Sequence, residues 1–81
     1  MLYKVPLLLT PQPEGGFTVT SPLLPELVTE GDTADEALGN VRDALAAVIE
    51  IYHDLGRPLP ASIQQNLSDG PIWLETMVAA S

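Results

Sequence analysis

The sequence predicts an α+β fold in the order β-β-β-α-β: an antiparallel three-stranded meander and a last strand, with one long helix packed on one face. Two observations carry this. Apolar residues alternate at period two over Leu2–Thr10 and again over Phe17–Ser21, whereas from Ala37 to Tyr52 they recur at helical spacing. Clusters of Gly and Pro separate these patterned stretches, where turns belong. At 81 residues the chain is expected to form one domain, 1–81.

Along Leu2–Thr10, Tyr3, Val5, Leu7 and Leu9 share one face, and Leu2, Lys4, Pro6 and Leu8 share the other. Pro6 cannot donate to a ladder, which marks an edge strand or a bulge. Residues Pro11–Gly16 supply turn chemistry, so the second strand, Phe17–Ser21, returns as a hairpin with Phe17 and Val19 inward. Pro22-Leu23-Leu24-Pro25 makes a bend. Leu27–Glu30 forms a third short strand, which Gly31 ends. The helix runs from about Thr33 to Leu55. Thr33-Ala34-Asp35-Glu36 fits a capping box, in which Thr33 caps the first turn and Glu36 reaches back. Ala37, Leu38, Val41, Ala44, Leu45, Val48, Ile49 and Tyr52 form its apolar stripe, and Gly56 followed by Pro58 stops it. Beyond it, the polar segment Ala61–Asp69 has room for one helical turn. Ile72–Val78 alternates as a last strand, with Trp73, Glu75 and Met77 on one face.

Eleven acidic residues against three basic ones give a formal net charge of −8. Lys4, Arg42 and Arg57 are too few and too scattered to form a phosphate-binding stripe, so direct nucleic-acid binding is not expected. An acidic surface favours a basic partner, and it serves solubility equally well. The absence of cysteine excludes disulfides and thiolate metal sites. No signal or membrane-spanning pattern is present, so the expected location is the cytoplasm.

No catalytic constellation emerges, and the chain is not expected to be an enzyme. His53, the single histidine, falls in the last helical turn, where a positive charge suits the helix dipole. Asp32, Asp35 and Glu36 are ordinary helix-start carboxylates. Gly15-Gly16 precedes a strand and lacks the Lys-Ser/Thr ending of a phosphate loop. No metal or cofactor is expected.

The stretch Glu14–Pro22, then Leu24–Thr33, then Asp35–Leu38 combines a Gly-Gly hairpin turn, a Pro-bracketed bend and Thr-Glu-Gly-Asp-Thr opening an amphipathic helix. In this ordered set the chain resembles the HicB-like antitoxin family, from Glu14 to about Leu45. The resemblance implies a truncated ribonuclease H-like domain of β-β-β-α-β order. It also implies a partner: a small, basic, mRNA-cleaving HicA-like toxin that the domain neutralises by binding. Many members carry a C-terminal DNA-binding domain. This chain stops at Ser81, so a stand-alone member is expected, with its toxin lost or encoded elsewhere. It departs from the family at Glu26, where glycine usually follows the Leu-Pro of the bend. The metal-holding carboxylates of ribonuclease H-like nucleases are not matched: Leu2–Thr10 contains no Asp or Glu, and Glu75 on the last strand stands alone.

Two surfaces follow as expectations. Glu30, Asp32, Asp35, Glu36 and Asp43 would face a basic partner, or form a solvated helix face. Leu8, Trp73 and Met77 point away from the helix-covered face and would form a homo-oligomer interface, in a dimer or tetramer. Trp73 packing on the chain's own loop, Arg57–Pro71, is the other reading. The alternative function is a self-associating structural domain with no toxin.

Overall fold

The computed structural model describes residues 2–65 and 70–77. Pro6 divides the first expected strand in two, β1 (Leu2–Tyr3) and β2 (Leu8–Pro11). A proline ring has no N–H to bond, and Val5–Leu7 crosses between two sheets as an irregular link. β2, β3 (Phe17–Thr20) and β4 (Val28–Gly31) form the antiparallel meander in that order. The register is Leu9↔Val19↔Thr29 and Pro11↔Phe17↔Gly31. Leu9, Phe17 and Val19 therefore share the face that meets the helix, and Leu8, Thr20 and Val28 share the other.

The helix α1 spans Ala34–Asp54, one residue inside the expected bounds at each end, with Thr33 and Leu55 as caps. The Glu36 N–H donates to Thr33 Oγ1 at 3.1 Å. The helix ends in a Schellman motif: the Arg57 N–H reaches the Tyr52 carbonyl at 2.9 Å, the Gly56 N–H reaches the His53 carbonyl at 3.1 Å, and Gly56 takes φ +66°. One apolar stripe serves two clusters. Toward its start, Ala37 and Val41 pack with Val19 against the meander. Toward its end, Val48 and Tyr52 pack with Leu24, Leu27 and Ile63, beneath Tyr3, Val5 and Leu59.

After the helix, a 3₁₀ turn at Ala61–Ile63 fits the expected helical turn and leads into β5 (Gln64–Gln65). β5 pairs antiparallel with β1, and the Lys4 N–H extends that ladder to the Ile63 carbonyl at 2.8 Å. The β-β-β-α-β order thus holds, but the strand after the helix lies earlier than its apolar alternation suggested. Ile72–Met77 carries no strand, and Val78 falls outside the described residues. Alternation alone does not make a strand. It needs an edge to pair with, and β1 is paired with Gln64–Gln65 instead.

Candidate functional site

The hairpin turn, the end of β4 and the start of α1 converge on one concavity of about 450 Å³. The turn is closed by the Gln12 N–H on the Gly16 carbonyl and the Gly15 N–H on the Gln12 carbonyl, both at 3.0 Å. Gly15 and Gly16 both hold positive φ, which explains the Gly-Gly pair. Gly31 works differently. A Cβ there would stand 2.3 Å from the Ala37 backbone nitrogen, so the first helical turn rests directly on the β4 backbone. That close approach brings Glu36 beside Glu30 and Asp32, and the hairpin adds Glu14 from across the sheet. Asn40, one turn further along α1, donates from Nδ2 to the Glu30 carbonyl at 2.8 Å and pins the outer edge of β4 to the helix.

Four carboxylates, Glu14, Glu30, Asp32 and Glu36, thus border one surface. Among the described residues none of them has an ion-pair partner. The capping box is half made: Thr33 accepts from Glu36, but among the described residues no bond returns from the Glu36 carboxylate. That group is left at the rim of the concavity. Three of the five acids expected to face a partner are therefore brought together. Asp35 borders a separate apolar furrow, and the exposed Asp43 lines neither hollow. Glu14 was not legible as a member. It lies sixteen residues before Glu30 in the chain, and only the Phe17↔Gly31 register joins them.

Of the expected interface residues, Trp73 and Met77 line the furrow together. Leu8 stands apart on the outer sheet face in line with Val28, both 60% exposed. Trp73 is 87% exposed, with little packing on the described residues around it.

Glu26 has a structural role. It occupies the third place of a turn that the Leu27 N–H closes on the Leu24 carbonyl at 2.9 Å, with Pro25 in the second place. Among the described residues no non-glycine has positive φ, so this turn does not require glycine. The Tyr52 hydroxyl donates to Glu26 Oε1 at 2.6 Å, and Arg57 Nη1 lies 3.7 Å from Oε2. The Arg57 guanidinium also covers the Tyr52 ring at 4.6 Å. The bond from Tyr52, with a smaller pull from Arg57, holds the Glu26 carboxyl below its usual range. The same bond to Glu26 raises the Tyr52 hydroxyl. Bend and helix end are thereby tied together by side chains more than twenty residues apart.

Among the described residues no group of three His, Asp or Glu side chains is placed to hold a metal, and no helix is long and apolar enough to cross a membrane. The geometry defines an acidic α+β domain, a meander carrying one helix, with unpaired carboxylates gathered where hairpin and helix meet. No family model matches the chain. It is 38% identical over 77 residues to Antitoxin HicB 1 of Photorhabdus laumondii subsp. laumondii, covering 93% of this chain and 50% of that protein. It is 34% identical over 77 residues to Antitoxin HicB of Escherichia coli, covering 95% of this chain and 56% of that protein. On this likeness the chain belongs to the HicB-like antitoxin family. It spans about half the length of the curated relatives it matches.

Proposed function

We propose that this chain acts as an antitoxin-type protein that binds and neutralises a small, basic, mRNA-cleaving toxin, without catalysis of its own and in the cytoplasm. The observation that carries the reading is the set of four carboxylates around one concavity, unpaired among the described residues, in a chain of net charge −8. Such a surface steers and orients a basic partner, and its field weakens with salt. The names of the relatives support an antitoxin role. In this reading Glu30, Asp32 and Glu36 make the central contacts, Glu14 joins them, and Asp35 and Asp43 flank them.

The test is co-expression with a small basic mRNA-cleaving toxin of the HicA-like kind. Relief of that protein's toxicity by the wild-type chain, lost on Glu30→Lys with Glu36→Lys, supports the reading. Relief unaffected by both reversals would contradict the proposed surface. The second reading, self-association without a toxin, is favoured by the exposed apolar side chains of Trp73, Leu74 and Met77.

A further inference from the structure

Glu30 and Glu36 border the concavity from two different elements, the end of β4 and the first turn of α1. Their spacing is therefore set by how strand and helix sit together. Two contacts fix it. At Gly31 the Ala37 backbone rests directly on the strand, and one residue earlier the Asn40 Nδ2 donates to the Glu30 carbonyl at 2.8 Å. The first contact alone is a pivot about which the helix start can swing. The second, about a turn further along α1, removes that rotation.

Four carboxylates around one hollow repel one another, and among the described residues no ion pair offsets them. The repulsion pushes β4 and α1 apart where the site lies. A lysine or arginine at position 40 could hold them together, but its charge would cancel part of the field that a basic partner feels. Asparagine holds them with a neutral donor. Its bond goes to the Glu30 backbone, so the Glu30 carboxylate stays free to meet a partner. Helix stability gives no reason for the choice: position 40 is exposed, asparagine is a poor helix former, and it follows Gly39, a poorer one. We propose that Asn40 is a positioning residue of the toxin-binding surface, holding Glu30 and Glu36 at a fixed spacing against their own repulsion, a role that rests on the reading of the concavity as that surface. The surface is then ordered in the free chain, and binding does not bear the cost of ordering it.

Charge and order act on different rates. Charge governs how fast a basic partner is captured, and fit governs how slowly it leaves. The experiment follows binding of a small basic HicA-like toxin by surface plasmon resonance, for the wild type, Asn40→Ala, Asn40→Asp, and Glu30→Lys with Glu36→Lys. Asn40→Ala keeps the net charge at −8, so association stays within about twofold of the wild type while dissociation quickens roughly 10-fold. Asn40→Asp adds a negative charge but loses the donor. It associates at least as fast, yet dissociates roughly 10-fold faster, so affinity falls although the surface is more acidic. In the free chain, amide hydrogen exchange over residues 30–37 quickens in both variants, with the helix retained by circular dichroism. Tighter binding by Asn40→Asp, as charge alone would give, or wild-type dissociation in both variants, overturns the role of Asn40. Unchanged exchange over residues 30–37 does so too. The concavity survives any of these results if the double reversal still abolishes binding. A wild-type chain that does not bind the toxin, or reversals without effect, removes the surface and the role of Asn40 with it.

Discussion

Gly31 and Gly39 lie eight residues apart, and the same substitution to alanine at each should change stability in opposite directions. At Gly31 the new methyl would stand 2.3 Å from the Ala37 nitrogen, 2.7 Å from the Ala37 Cα and 2.8 Å from the Glu36 carbonyl carbon. All three are backbone atoms and cannot rotate away, so the first helical turn must retreat from β4 by roughly 1 Å. Ala37 and Val19, both fully buried, and Val41 lose packing as it does. Overpacking against rigid atoms costs about 3 kcal/mol, against a total stability on the order of 8 kcal/mol for a domain of this size. At Gly39 the methyl meets nothing within 4 Å on an exposed helix position, and alanine there gains about 0.8 kcal/mol in helix propensity. With a urea dependence of about 1 kcal/mol per molar, Gly31→Ala moves the midpoint down by roughly 3 M and Gly39→Ala moves it up by somewhat under ~1 M. Equilibrium urea unfolding followed by circular dichroism reads both. A Gly31→Ala midpoint within ~0.5 M of the wild type, or shifts of the same sign in both variants, would refute the direct seating of helix on strand.

Two further predictions concern the other end of the helix. The Glu26 carboxyl titrates below its ordinary 4.5 in the folded state, so its contribution to stability is present above 4.5 and is lost as pH falls through the lowered value. The Tyr52 hydroxyl is raised above its ordinary 10.0, so its contribution is present below 10.0 and is lost as pH rises through the raised value. Tyr52→Phe should flatten both flanks of the stability–pH curve measured by thermal melts, and flanks as steep as the wild type's would remove Glu26–Tyr52 as their source. Leu24, fully buried beside Val48 and Tyr52, should cost about 3 kcal/mol when cut to alanine, whereas Leu8→Ala on the exposed sheet face should cost under ~0.5 kcal/mol.

The legible parts of this molecule are those fixed by local chemistry. Thr33, the stripe from Ala37 to Tyr52 and Gly56 place a helix whose start, face and stop need no knowledge of the rest of the chain. Gly15-Gly16 between alternating runs is likewise a hairpin by itself. What was not legible depends on partners distant in the chain. Nothing near Gln64–Gln65 announces that it will pair with Leu2–Tyr3, and the better-patterned Ile72–Met77 remains unpaired. The acidic site divides the same way. Glu30, Asp32 and Glu36 cluster because they flank one helix start, but Glu14 enters only through strand register, and Asp35 points toward the other hollow by the turn of the helix. Glu26 drew notice as a departure from the family's glycine. Its role required Tyr52 and Arg57 to come within bonding distance, which only the folded chain provides.

The central claim, that a basic toxin binds the concavity bordered by Glu14, Glu30, Asp32 and Glu36, is tested most directly by calorimetric titration with a small basic HicA-like toxin at rising ionic strength. The predicted result is affinity that falls steadily with salt and is largely abolished at low salt by Glu30→Lys with Glu36→Lys. Tight binding that is insensitive to salt and to both reversals would contradict it.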